Sequence, residues 1–449
     1  MTKLFLSLVA TIIYILFVGC STSSVVENTA FDDKKVKTDT LSTHEAPTYY
    51  DKNEALIFED RIYKNNIHTA ILHKDGSELN PPIILLNSNE KLFLTFDDFN
   101  DEVGEYYYEI IHCTHNWSET GLSTSEFLHG FPNNYISDFE NSFNTRLSYI
   151  NYNLTFPDEH YRFMKSGNYL LKVYEGNDKN NLVITKRFMV YENAVDILAQ
   201  VKRPDDVQHM DYKQEVDFKI NHTGFDIDNV FNNLHVSITQ NNRWDNAITD
   251  LKPKFIRDNV LDYDYSDGNL FEGGNEFRQA DMKSLSHRGD RIAKIKKDSL
   301  YEYYLLPDPK RAFINHTSYQ DLNGNFLIKQ EQDSDSNIDA EYIKVHFVLP
   351  SIKLTENVYV FGALSSWQLQ KKFRMTYSDE RKAYELKALI KQGYYNFCYA
   401  TDKDDKINTT KFEGSFYKTE NVYSIYAYYF DYAEAYDRLI GAGHFYSFR

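Results

Sequence analysis

From residue 92 to the C-terminal region one pattern keeps returning: short runs in which apolar and polar residues alternate, separated by polar turns. KLFLTFDDF puts Leu92, Leu94 and Phe96 on one face. YYYEIIHC sorts Tyr106, Tyr108 and Ile110 from Tyr107, Glu109 and Ile111. NYLLKVYEG groups Tyr169, Leu171 and Val173, and LVITKRFMVYE follows after the turn GNDKN. Successive side chains of an extended strand point to opposite faces, so a period of two predicts half-buried strands. Similar runs recur at QEVDFKINH, LHVSITQ, EYIKVHFVLP, NVYVFGAL and NVYSIYAYYF. Even the best helix candidate, ERKAYELKALIKQ, alternates at Tyr384, Leu386, Ala388 and Ile390 and reads as a strand. Asn323-Gly324, between two such runs, signals a type I′ hairpin. The 36 Tyr and 31 Phe, against 18 Gly and 10 Pro, suit pleated, half-buried surfaces. The expected fold is all-β: serial immunoglobulin-like or early-set β-sandwich domains.

The 449 residues exceed what one core accommodates. The first twenty, MTKLFLSLVATIIYILFVGC, carry Lys3, an uncharged apolar run from Leu4 to Val18, and then Gly19-Cys20. That run suits a signal-peptide core rather than a membrane span. Its end resembles a bacterial lipobox, which makes residues 1–19 a lipoprotein signal peptide and Cys20 the site of lipid attachment. Residues 20–54, rich in Ser, Thr, Asp and Lys, read as a flexible tether. As random coil it reaches roughly 30–35 Å. Breaks near 192 and at Pro350 divide the rest into a first sandwich at 55–192, a middle β region of one or two sandwiches at 193–350, and an early-set-like domain at 351–449. KQEQDSDSNIDAE, within the middle region, reads as a surface loop.

A formal charge of −17 argues against nucleic acid as a partner. GxSxG, Walker A, GxGxxG and HExxH motifs are absent, so no catalytic, cofactor-binding or metal residues are assigned. His112, Cys113 and His115 crowd together, but neighbours on a strand face apart and a structural zinc needs about four ligands. They read as a strand end. Asp97 and Asp98 face apart for the same reason, against a glycosidase pair. Cys113 and Cys398 are too far apart in the chain to form a disulfide scaffold, although one interdomain bridge stays open. The loop THNWSETGLSTSEFLHGFPNNYISDFENSFN is long and apolar. Its Trp117, Phe127, Phe131 and Tyr135 either fold back as a cap or form a partner-contact patch. Trp367, after NVYVFGALSS, is a packing residue or a glycan-stacking platform.

Several stretches in order resemble the plug protein family of the type IX secretion system of Bacteroidota. They are YYYEIIHCTHNW, EFLHGF, SFNTRLSYINYNLTFP and SGNYLLKVYE with ITKRFMVYE, then GGNEFR at 273–278, then FEGSFYKTENVYSIYAYYFDYAEAYDRLIG. The resemblance implies a non-enzymatic, cofactor-free periplasmic protein. It would dock on the periplasmic mouth of the outer-membrane translocon barrel and keep it shut. The lipobox, read from this chain's own residues, would place acylated Cys20 in the inner leaflet of the outer membrane. The alternative from the residues alone is a glycan-binding lipoprotein that uses Trp367.

Overall fold

The computed structural model describes residues 55–447, apart from 133, 333, 404 and 405. The expected signal peptide at 1–19, the expected tether at 20–54 and Cys20 lie outside the described residues. The architecture is all-β, with strands paired into facing open sheets and, among the described residues, four α-helices and two 3-10 helices of a single turn. No helix among the described residues is long and apolar enough to cross a membrane.

The strands build three sandwiches. In the first, one sheet joins Arg61–Ile62, Leu182–Tyr191, Gly167–Glu175 and Tyr106–Cys113, with Ile83–Leu85 parallel to Leu182–Tyr191. The facing sheet joins Ile67–Lys74, Leu92–Asp98, Ile150–Phe156 and Asp138–Asn141. The alternation works as the pleat requires. Leu92, Leu94, Phe96, Tyr106, Tyr108, Ile110, Tyr169, Leu171 and Val173 all enter one core. Gly167–Glu175 is buried on both faces, because Leu170 points away from that core into a second cluster shared with Tyr426, Tyr428 and Leu439.

The second sandwich is assembled from two distant parts of the chain. Asp196–Lys202, Lys213–Asn221, Val260–Asp262, Phe255–Arg257 and Leu270–Glu272 form one sheet. The other joins Arg243–Ile248 and Leu234–Gln240 to the C-terminal strands Val422–Asp431 and Tyr436–Tyr446. LHVSITQ pairs with NVYSIYAYYF from Leu234↔Tyr429 to Gln240↔Tyr423. The third sandwich is inserted between these parts. Ile292–Lys297, Tyr301–Leu305, Tyr342–Pro350, Ala383–Lys391 and Thr376–Ser378 face a sheet centred on Gly393–Lys403.

This corrects the expected domain limits at 193–350 and 351–449. Tyr342–Pro350 pairs with Ala383–Lys391 along its whole length, so Pro350 ends a strand inside a sheet. Period-two alternation marks a strand but does not name its partner. Asn323 and Gly324 take φ of 51° and 80°, and Asn325 N donates to the Leu322 carbonyl at 3.0 Å. The tight turn forms as predicted. It does not close a hairpin, because the following strand, Phe326–Ile328, pairs with Gly393–Lys403.

Candidate functional site

The long loop of the first sandwich folds back for most of its length. Trp117, at φ 65° in a tight turn, is 6% exposed. Its ring meets Trp244 of the second sandwich edge-on at 5.1 Å, and the Arg187 guanidinium lies over it at 4.5 Å. Phe127 ends the single-turn helix Thr124–Phe127, which Ser123 and Glu126 cap reciprocally, and packs against Tyr169. Trp117 and Phe127 therefore cap and join the sandwiches; burial removes them from a partner-contact patch. Tyr135 is half-buried against Tyr107. Phe131 is 88% exposed, and of the four it alone presents its ring to solvent.

The sandwiches are locked together by buried polar contacts. Between the first and third, Lys391 Nζ donates to Asp97 Oδ2 at 2.7 Å, with both side chains almost fully buried. The same oxygen accepts from Tyr342 Oη at 2.6 Å, and Oδ1 accepts from Asn151 at 2.8 Å. The Lys391 ammonium also donates to the Asn337 carbonyl and sits 4.3 Å from the Tyr149 ring. Tyr149 Oη donates to the Ala340 carbonyl, and Phe143 N to that of Ile338. The segment KQEQDSDSNIDAE, expected to be a surface loop, thus lies at the junction over Asn337–Glu341. Its polar composition serves hydrogen bonds to the first sandwich as well as solvent. Asp98 is occupied too, accepting from Tyr106 Oη, Asn66 and the Asn100 backbone.

Between the first and second sandwiches, Arg438 forks onto Glu192 at 2.6 and 3.0 Å, a bidentate geometry. Tyr428 Oη donates to Asn168 at 2.9 Å. His112 is buried here. Its Nε2 faces the Ser166 carbonyl and its Nδ1 the Thr120 hydroxyl, both at 3.1 Å. Burial pulls its pKa down to about 4. Cys113 and Cys398 are free and buried apart, in different clusters, and burial pushes both thiols up to about 12. His115 separates from its two neighbours and meets His235, Asp250 and Asp437 of the second sandwich. That meeting was not legible in the sequence, because all three partners lie more than a hundred residues away and the strand pairing that delivers them is long-range.

A family model, the type 9 secretion system plug protein 1st domain, matches residues 67–192, which is the first sandwich from its second strand onward. The chain belongs to the type IX secretion system plug protein family. Likeness to a solved structure extends past that domain. A crystal structure of a hypothetical protein from Parabacteroides merdae is 33% identical with a TM-score of 0.84, covering 87% of this chain and 100% of that one. A search of curated proteins finds no match. The family is one of secretion-system components rather than of enzymes.

GGNEFR, which carries part of the plug resemblance, holds the insertion of the third sandwich in place. A Cβ on Gly273 would stand 2.1 Å from the Phe416 carbonyl, so only glycine fits under that crossing chain. Arg278 Nε donates to Glu413 at 3.0 Å, and its Nη1 to Asp308 at 2.9 Å. Burial raises the cost of the Glu413 charge, but Arg278 and Arg311 outweigh it and hold the carboxyl below its ordinary value. Trp367 packs here as well: Phe277 and Phe361 meet its ring edge-on, and Arg243 lies 5.0 Å over it. With those contacts the ring is part of the packing, and no glycan platform is proposed for it. All 3 tryptophans of the plug-family chain, Trp117, Trp244 and Trp367, line a cleft of about 580 Å³ where the sandwiches meet.

Proposed function

We propose that this protein is a non-enzymatic, periplasmic stopper of the type IX secretion machinery. It docks on the periplasmic mouth of the outer-membrane translocon barrel and occludes it. Acylated Cys20 holds it at the inner leaflet, and the tether of residues 20–54 lets the folded part reach the barrel. The family match supports the machinery. The observation that carries the mechanism is the Lys391–Asp97 pair, closed off from water between two sandwiches. A small slide of one sandwich past the other would leave a desolvated charge without its partner, which is costly. Such pins turn three modules into one stiff block, and stiffness is what steric occlusion of a wide opening requires. Exposed Phe131, at the tip of the first sandwich's loop, is the proposed contact with the barrel.

The test is a pull-down of this chain from detergent-solubilised membranes of its own bacterium. The reading expects a very large outer-membrane β-barrel among the recovered proteins. Recovery of glycan-processing proteins alone would reject it.

A further inference from the structure

The fold brings together a set of metal-ligating atoms that belong to no single sequence motif. His115 follows the first-sandwich strand Tyr106–Cys113. His235 lies on Leu234–Gln240, and Asp250 follows Arg243–Ile248, both in the second sandwich. His115 Nε2 stands 3.6 Å from Asp250 Oδ1, and His235 Nδ1 stands 2.9 Å from the same oxygen. The ligand atoms of the three residues all lie within 4.8 Å of one another.

The second observation concerns which nitrogen of His115 is free. Asp437, itself buried, accepts the His115 backbone N–H at 2.9 Å and its Nδ1–H at 3.0 Å on one carboxylate oxygen. In the neutral ring that arrangement leaves a lone pair on Nε2, 3.6 Å from Asp250 Oδ1. The same carboxylate oxygen lies 2.9 Å from His235 Nδ1, so both imidazoles present a nitrogen to one oxygen. Carboxylate–histidine pairs of this kind are how proteins orient an imidazole towards a metal. The other cluster of acids among the described residues, Glu215, Asp217 and Asp264, differs in this respect. Lys202 already reaches into it, 2.6 Å from Asp217.

We propose that His115 Nε2, His235 Nδ1 and Asp250 Oδ1 bind one divalent cation of the zinc class, which clamps the first sandwich to the second. Two imidazoles and one carboxylate suit zinc, and water takes the fourth position. The two imidazoles stack at 3.8 Å, nearly parallel. A metal cannot lie in both ring planes at that spacing. On binding, therefore, His235 moves its proton to Nε2 and turns out of the stack. Asp250 is more than half exposed, which leaves the ion a path in from solvent.

The test uses the untagged mature chain, stripped with a chelator and titrated with Zn²⁺ alone by calorimetry at pH 7.5. The expected result is one saturable equivalent, with Co²⁺ giving the visible absorption of a four-coordinate site. Asp250→Asn, at an exposed loop position, should weaken binding on the order of 100-fold or more without unfolding the chain. His235→Ala should do the same, and His287→Ala, on an exposed loop of the third sandwich, should change nothing. Absence of saturable binding, an octahedral Co²⁺ spectrum, or equal binding by the Asp250→Asn variant would each overturn the proposal, leaving a protonated His115 between two carboxylates or an adventitious ion only.

Discussion

Replacing Lys391 by Met tests whether the buried pair pins the first and third sandwiches. The ammonium is held by Asp97 Oδ2 at 2.7 Å, the Asn337 carbonyl at 2.6 Å and the Tyr149 ring at 4.3 Å. Methionine fills much the same volume but offers none of these contacts. Asp97 keeps two neutral donors, Tyr342 and Asn151, and loses its only positive partner. Removing one member of a buried pair costs about 3–5 kcal/mol, mostly from the charge left behind. Lys391→Met should therefore lower the unfolding free energy by that amount, read as a lower denaturant midpoint. Adding Asp97→Asn removes the stranded charge while keeping an acceptor for Tyr342, so the double variant should recover about 2 kcal/mol or more of the loss. The same double-mutant cycle should show the coupling in protection of the Asn337–Glu341 amides from hydrogen exchange. A loss below about 1 kcal/mol, or strictly additive effects, would refute the pinning argument.

Other outcomes follow from the same structure. His112 is buried and neutral with its pKa near 4, so the stability it contributes is complete above about 6.5 and lost as pH falls towards 4. Linkage gives a loss of about 2 kcal/mol between pH 7.5 and 5. Paired denaturant titrations should show wild type losing that much more than His112→Asn over this interval. Trp117→Ala should cost about 3–5 kcal/mol in the same assay, because the ring is enclosed by Trp244 and Arg187. Phe131→Ser should shift stability by less than about 0.5 kcal/mol yet reduce recovery of the barrel in the pull-down. Gly324→Ala should destabilise by about 1–3 kcal/mol, since φ is 80° and a Cβ would stand 2.3 Å from the Trp367 ring.

The strands were legible because alternation is a local property. ERKAYELKALIKQ delivers the strand Ala383–Lys391 and YYYEIIHC the strand Tyr106–Cys113, with Tyr106, Tyr108 and Ile110 facing the core as read. Pairing is not local. Nothing within LHVSITQ indicates that it joins a strand nearly two hundred residues later, so the discontinuous second sandwich went unread. The same limit hid the site residues. Asp97 and Lys391 each look like ordinary strand charges until the fold buries them against each other. His115 gains His235 and Asp250 only when the two sandwiches meet. The exposure of Phe131 and the burial of Trp117, side by side in one apolar loop, follow from which side chains reach the neighbouring sandwich, and composition alone carries no such distinction.

The central claim, that this protein works by filling an opening, is tested most directly by deleting its gene and measuring two things in the same strain: entry of an antibiotic that the outer membrane normally excludes, and export of type IX substrates. The account predicts increased entry, with export at least partly retained, and restoration of the barrier by wild type. Unchanged permeability together with unchanged export would contradict it.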